Sequence, residues 1–209
     1  MEKLNGVLSK VQDEDIKLLE DNPAEFWNGV TKIGELAFRF CEGVTHITIP
    51  SNVTEIGVGA FGDCANLTDI VIPSSVTRVG NSAFFKCSAL SNISIPSGVT
   101  KIEPGTFYGC TSLSKIIIPN SVTSIEIQAF SYCTSLQSID MGDGLLYIMG
   151  DAFNNCTSLQ SLQIPASVNY IEGYAFYNCT ALTSIEVESG NSIYDSRYGC
   201  NAIVMSATN

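Results

Sequence analysis

Seven cysteines, Cys41, Cys64, Cys87, Cys110, Cys133, Cys156 and Cys179, follow one another at a constant step of 23 residues. A phenylalanine stands three residues before each, from Phe38 through Phe61, Phe84, Phe107, Phe130 and Phe153 to Phe176. Five prolines, Pro50, Pro73, Pro96, Pro119 and Pro165, fall nine residues after a Cys. A fixed period of about 20–50 residues marks a stacked array, in which no unit buries its apolar face alone. With 45% apolar and 15% charged residues, the 209-residue chain can bury such a core. Its length suits one array better than two domains.

One unit, Leu67 to Cys87, reads LTDIVIPSSVTRVGNSAFFKC. Its predicted inward positions are Leu67, Ile70, Ile72, Val76, Val79, Ala83, Phe84 and Cys87. Ile70 and Ile72 alternate with Asp69 and Val71, the period of a strand. Pro73 ends that strand because it has no N–H to continue a ladder. Gly80 and Asn81 make the next corner. Ala83, Phe84 and Cys87 then sit at helical spacing over too few residues for a stable helix, which predicts a short helical or 3₁₀ piece. The expected fold is a repeat solenoid of about seven and a half coils over 30–188, with a parallel β-sheet on one face and short helical turns on the other.

Both ends should deviate, as the ends of repeat arrays do. Residues 1–29 read as a short helical N-terminal cap. Asp13 to Glu20 is an acid-rich helix start, Asn22-Pro23 a cap with a first-turn proline, and Gly29 a stop. Phe26 falls in the register of the second strand isoleucine, and with Trp27 it should cover the first coil. Proximity to that end predicts a smaller cost for truncating Phe38 than for Phe107. At the other end the cysteine step drops to 21, with Cys200 early, so 189–209 reads as an irregular half-unit, either a truncation of a longer stack or an unusual end to this one.

The pattern L-x-x-I-x-I-P-x-x-V-T-x-I-G-x-x-A-F-x-x-C recurs as Leu67–Cys87, Leu90–Cys110, Leu113–Cys133 and Leu159–Cys179. It resembles the leucine-rich repeat of the BspA-like class, also called the Treponema pallidum type, over about Val30 to Val187. The chain departs from it at Met141-Gly142, where the apolar–Pro pair is replaced, and at Thr106, where Ala is usual. The resemblance implies a solenoid scaffold and, for some members, surface-associated adhesins. It assigns no role to any single residue.

Little in the chain points to chemistry. The eight cysteines occupy inward or irregular positions rather than a loop-rich disulfide framework, so buried free thiols are expected. The single His, His46, lies on an exposed strand position equivalent to Asp69, Asn92, Lys115, Ser138, Ser161 and Ser184, with no nucleophile placed beside it. Asp140, Asp143 and Asp151 do not match the spacing of a calcium loop. No C-x-x-C pair, phosphate loop or nucleophile elbow occurs. The expectation is a protein that is not an enzyme and needs no cofactor or metal.

A net charge of −11 argues against nucleic acid, whose phosphates require a basic surface. The longest uncharged apolar run, Leu145 to Met149, is far too short to span a membrane. Charged residues also interrupt the first thirty positions, which therefore lack the apolar core of an export signal. That feature and the free thiols fit a reducing interior, whereas the family resemblance implies the cell surface.

A protein or glycan partner is the expected ligand. One outward stripe recurs every 23 residues from Lys32 and falls fourteen residues after each Cys of the ladder: Lys32, Glu55, Arg78, Lys101, Ser124, Tyr147, Tyr170 and Ile193. Three cations lie on it and grade into two tyrosines, which makes Tyr147, Tyr170, Lys101 and Arg78 the candidate anchors. The competing surface is the strand face, with His46/Thr48, Asp69/Val71, Lys115/Ile117 and Ser138/Asp140 pointing outward. Its candidates are Lys115 and Asp140. The alternative is a structural spacer that carries another domain or an anchor.

Overall fold

The computed structural model describes residues 1–195 and 204–205, so Cys200 and most of the expected half-unit lie outside the described residues. Each coil has three sides. The first holds the strands read from the sequence: His46–Thr48, Asp69–Val71 and Asn92–Ile93 pair in parallel, as do Lys115–Ile117 with Ser138–Asp140 and Ser161–Ile164 with Ser184–Val187. Ile47 pairs with Ile70 and Ile70 with Ile93, so one inward column continues from coil to coil. Pro then opens a tight turn whose fourth residue bonds back to it, as in Val53 N–H to Pro50 O (3.1 Å) and Val122 N–H to Pro119 O (2.9 Å). Gly142 makes the same turn with Leu145 (3.1 Å), which explains why the coil lacking the Ile-Pro pair still stacks. A Cβ at Gly142 would lie 2.7 Å from the Ile118 carbonyl oxygen.

The second side is a further parallel ladder of two-residue strands. It runs through Lys32–Ile33, Glu55–Ile56 and Arg78–Val79, then separately through Lys101–Ile102, Ser124–Ile125, Tyr147–Ile148 and Tyr170–Ile171. The outward stripe is thus a sheet face, a second one that the alternation pattern did not reveal. Two residues are too few to show a period of two.

The third side carries Phe and Cys. The expected short helical pieces take the form of consecutive tight turns, with bonds such as Gly62 N–H to Gly59 O and Cys64 N–H to Phe61 O. They cannot wind into a helix because each coil has two residues in the left-handed region, for example Gly59 and Asp63 or Gln128 and Tyr132. These turns stack through the next coil's carbonyls, as in Phe61 N–H to Ala83 O (2.8 Å) and Phe107 N–H to Ala129 O (2.8 Å).

Inside, the phenylalanines form one column with ring centroids 4.8–5.5 Å apart from Phe38 to Phe176. The cysteines form a second column. Each thiol from Cys64 to Cys179 donates to the carbonyl of the Phe one coil earlier, at 2.9–3.2 Å. The seven described cysteines are buried, and those from Cys64 to Cys179 are free thiols. Burial pushes the Cys87 and Cys133 thiols up to about 12 and raises that of Cys110 strongly. Thr106, at the usual Ala position, is also buried and donates to the Glu103 carbonyl at 2.7 Å.

At the N-terminus, helices α1 (Asp13–Asp21) and α2 (Pro23–Phe26) form where the sequence predicts them, with Asn22 capping α2 ahead of Pro23. Phe26 sits in that helix rather than in a strand. It packs on Phe38 at 6.0 Å, and Trp27 does so at 6.2 Å. Phe38 is therefore fully covered, which corrects the expectation that truncating it costs less. Ahead of the helices lies a hairpin absent from the sequence reading, β1 (Glu2–Leu4) and β2 (Val7–Lys10). Strand β2 pairs in parallel with Lys32–Ile33 and buries Leu8, so the second ladder begins in the cap. Near the other end, Tyr194–Asp195 pairs antiparallel with Val204–Met205.

Candidate functional site

The core fixes every inward column, so the surfaces available for recognition are the outward columns of the three sides. On the second side, Tyr147 and Tyr170 are direct partners in register and are 42% and 46% exposed. Tyr174 and Tyr177 follow along the same coil onto the turn side. They are exposed and pack edge to face at 5.8 Å. Two adjacent coils thus carry four exposed tyrosines, one pair on the second side and one on the turn side.

The cations of the stripe stand differently from the sequence reading. Lys101 lies two rungs from Tyr147, with the buried Ser124 between them. Its ammonium is 2.7 Å from Glu126, whose carboxylate also accepts from Ser124. Burial pushes the Glu126 carboxyl up, but the bonds from Lys101 and Ser124 outweigh it and hold the group below its ordinary value. Arg78 pairs with Glu55, which also binds Lys32 at 3.0 Å. Between Arg78 and Lys101 the ladder has a break, so these two cations are not strand partners. Glu55 and Glu126 thus pair the three cations of the stripe, and Tyr147 and Tyr170 stand apart from these ion pairs.

On the first side, Lys115 and Asp140 lie on neighbouring paired strands, diagonal to one another, with Ile117 beside them 56% exposed. They do not join the tyrosine patch. His46 sits beside Asp69 at 3.0 Å and Thr48 at 3.3 Å, in an exposed surface contact. Among the described residues, no three His, Cys, Asp or Glu side chains converge as a metal site.

The turn side holds aromatic residues that the sequence reading passed over. Phe85 stacks on Tyr108 at 5.0 Å, and Tyr108 meets Tyr132 at 5.3 Å. Arg39 lies over the exposed Phe40, and Lys86 over Phe85. Their signal was present in the sequence. In five of the seven coils the two positions after the core Phe include an aromatic residue, as Arg39-Phe40, Phe85-Lys86, Tyr108-Gly109, Ser131-Tyr132 and Tyr177-Asn178, and the second of each pair is in the left-handed region.

A three-sided parallel solenoid with a Phe column, a thiol column and a Pro-initiated turn defines a class of leucine-rich repeat protein. The family model described as BspA type Leucine rich repeat region matches residues 22–123 and 100–204 in six copies. The chain belongs to that family. It is similar to the crystal structure of the T. pallidum leucine-rich repeat protein at 27% identity and a TM-score of 0.55, covering 75% of this chain and 62% of that one. A leucine-rich repeat protein from Bacteroides ovatus matches at 25% identity and a TM-score of 0.47, covering 77% and 59%. A leucine rich cell surface protein from Faecalibacterium prausnitzii matches at 27% identity and a TM-score of 0.40, covering 87% and 74%. The chain thus spans about six-tenths of the length of the first two relatives. No curated protein matches it significantly.

Proposed function

We infer that the chain is a non-enzymatic, adhesin-like recognition module that holds a protein or glycan partner on its outward columns. The observation that supports this most is the group of four tyrosines, Tyr147, Tyr170, Tyr174 and Tyr177, exposed on adjacent coils. Large aromatic side chains left in water by a rigid scaffold give contact area at little entropic cost, and tyrosine is enriched at interface hot spots. Lys101 lies two rungs from Tyr147 and Arg78 across the break in the ladder, each paired with an acid of a neighbouring coil. Lys115 and Asp140 belong to the alternative surface on the first side.

The test is capture from host and bacterial extracts with the intact protein, followed by titration of whatever is captured. Tyr147→Ala/Tyr170→Ala should weaken binding by about 2 kcal/mol or more, the scale of a hot spot. Lys115→Ala/Asp140→Ala should leave it unchanged. If the second pair alone weakens binding, the partner lies on the first side. If nothing is captured, the spacer reading takes its place.

A further inference from the structure

On the turn side, well away from Tyr147 and Tyr170 in the coil, a groove of about 480 Å³ runs along the stack. Its walls are Asp63, Lys86, Tyr108 and Tyr132, and its base is Gly109 with Ala65, Ser88 and Thr111 alongside. From Asp63 to Tyr132 it crosses four coils, or about 14 Å at the usual strand spacing. That volume falls within the range of small-ligand sites.

One residue opens it. The column two positions after the core Phe reads Phe40, Asp63, Lys86, Gly109, Tyr132, Asn155 and Asn178, all in the left-handed region. Gly109 alone in that column has no side chain, and a Cβ there would lie 3.2 Å from Cγ of Lys86. The notch is flanked by a cation on one side and an exposed ring on the other.

The chemistry of the lining narrows the ligand. Ser88 and Thr111 spend their hydroxyl protons on the carbonyls of Ala65 and Ser88, both at 3.2 Å, so their oxygens face outward as acceptors. Lys86 donates and forms no ion pair among the described residues, while Asp63 accepts and is held from behind by Arg39 at 3.4 Å. One carboxylate and one ammonium leave the lining neutral. Alternating donors and acceptors beside aromatic carbon suit a molecule with an apolar C–H face and a rim of hydroxyls.

We propose that this groove binds a short neutral oligosaccharide, with its sugar rings against Tyr108 and Tyr132 and its hydroxyls between Asp63 and Lys86. The site is independent of the tyrosine patch assigned above and stands if that assignment fails.

The test uses the whole protein on an array of short hexose and N-acetylhexosamine oligosaccharides beside sulfated and uronate-containing chains, with calorimetric titration of those bound. Gly109→Asn fills the notch with a residue that Asn155 and Asn178 show to be at home in this conformation. Tyr132→Ala removes the exposed ring. Each should weaken binding of a neutral chain about tenfold or more with the melting temperature preserved. Tyr147→Ala/Tyr170→Ala should leave that binding intact. Absence of neutral oligosaccharide binding, binding confined to the acidic chains, or binding indifferent to both groove variants overturns the proposal.

Discussion

Phe107→Ala is the most direct probe of the stacked core. The ring is 2% exposed and lies between Phe84 at 5.5 Å and Phe130 at 5.2 Å, nearly parallel to both. Truncation removes both ring contacts and leaves a cavity that the ladders of hydrogen-bonded turns cannot easily collapse into. The expected cost is about 3–5 kcal/mol, the usual figure for a buried aromatic. Each kcal/mol shifts the melting temperature of a chain of this size by about 2–4 °C, so the midpoint should fall by roughly 6–20 °C. Thermal unfolding followed by circular dichroism measures it. Phe38→Ala should cost as much, since Phe26, Trp27 and Phe61 surround that ring. Phe176→Ala should cost less, because Phe176 is only partly buried and has Phe153 as its ring neighbour. An unchanged midpoint for Phe107→Ala, or an equal loss at all three positions, would refute the argument that the column works by enclosure.

The thiol column gives three further expectations. Titration without reductant should count eight free thiols in denaturant and far fewer in the native protein, because burial both blocks access and disfavours the thiolate; native disulfides between ladder cysteines would contradict this. The folded state raises the Cys87 and Cys133 thiols from 9.0 to about 12, so their contribution to stability is complete below pH 9 and is lost as pH rises toward 12. The loss should be about 1.4 kcal/mol per thiol per pH unit, seen as a melting temperature that falls steeply on the alkaline side, and a flat profile from pH 9 to 11 would count against it. Cys110→Ser should cost about 1–3 kcal/mol in urea unfolding, since a buried hydroxyl is more expensive to desolvate than a thiol; a stabilised variant would show that the site is wetter than its burial implies.

The parts of this fold legible in the sequence are those that repeat for a physical reason. Each inward residue touches its equivalents in the coils before and after, so a change in one coil strains two neighbours, and the Phe, Cys and first-strand Ile columns stay in phase. Strands of two residues leave no such trace, which is why the second ladder appeared as a stripe of unexplained side chains. The hairpin β1–β2 lies outside the period and has no repeat to reveal it, although Leu8 is as buried as any core residue. Lys101 and Arg78 looked like free anchors because sequence spacing does not show which acid reaches them. Their partners, Glu126 and Glu55, lie one coil away and close only when the ladder forms.

In such an array function must be sought on the outward columns. An outward side chain has few obligations to the next coil, so its column drifts, and the drift carries the information that the inward columns cannot hold. The column of Gly109 passes through an aromatic, an acid, a base, a gap, a tyrosine and two asparagines while the backbone repeats unchanged. Stability gives no reason for that order, because each of these residues tolerates or is forced into the same left-handed turn. A scaffold whose stacking is already secured by rings, thiols and turn hydrogen bonds is free to vary such columns residue by residue. If the chain is the recognition module proposed above, substitutions at the coils that carry tyrosine, lysine or no side chain should alter binding while leaving the stack intact.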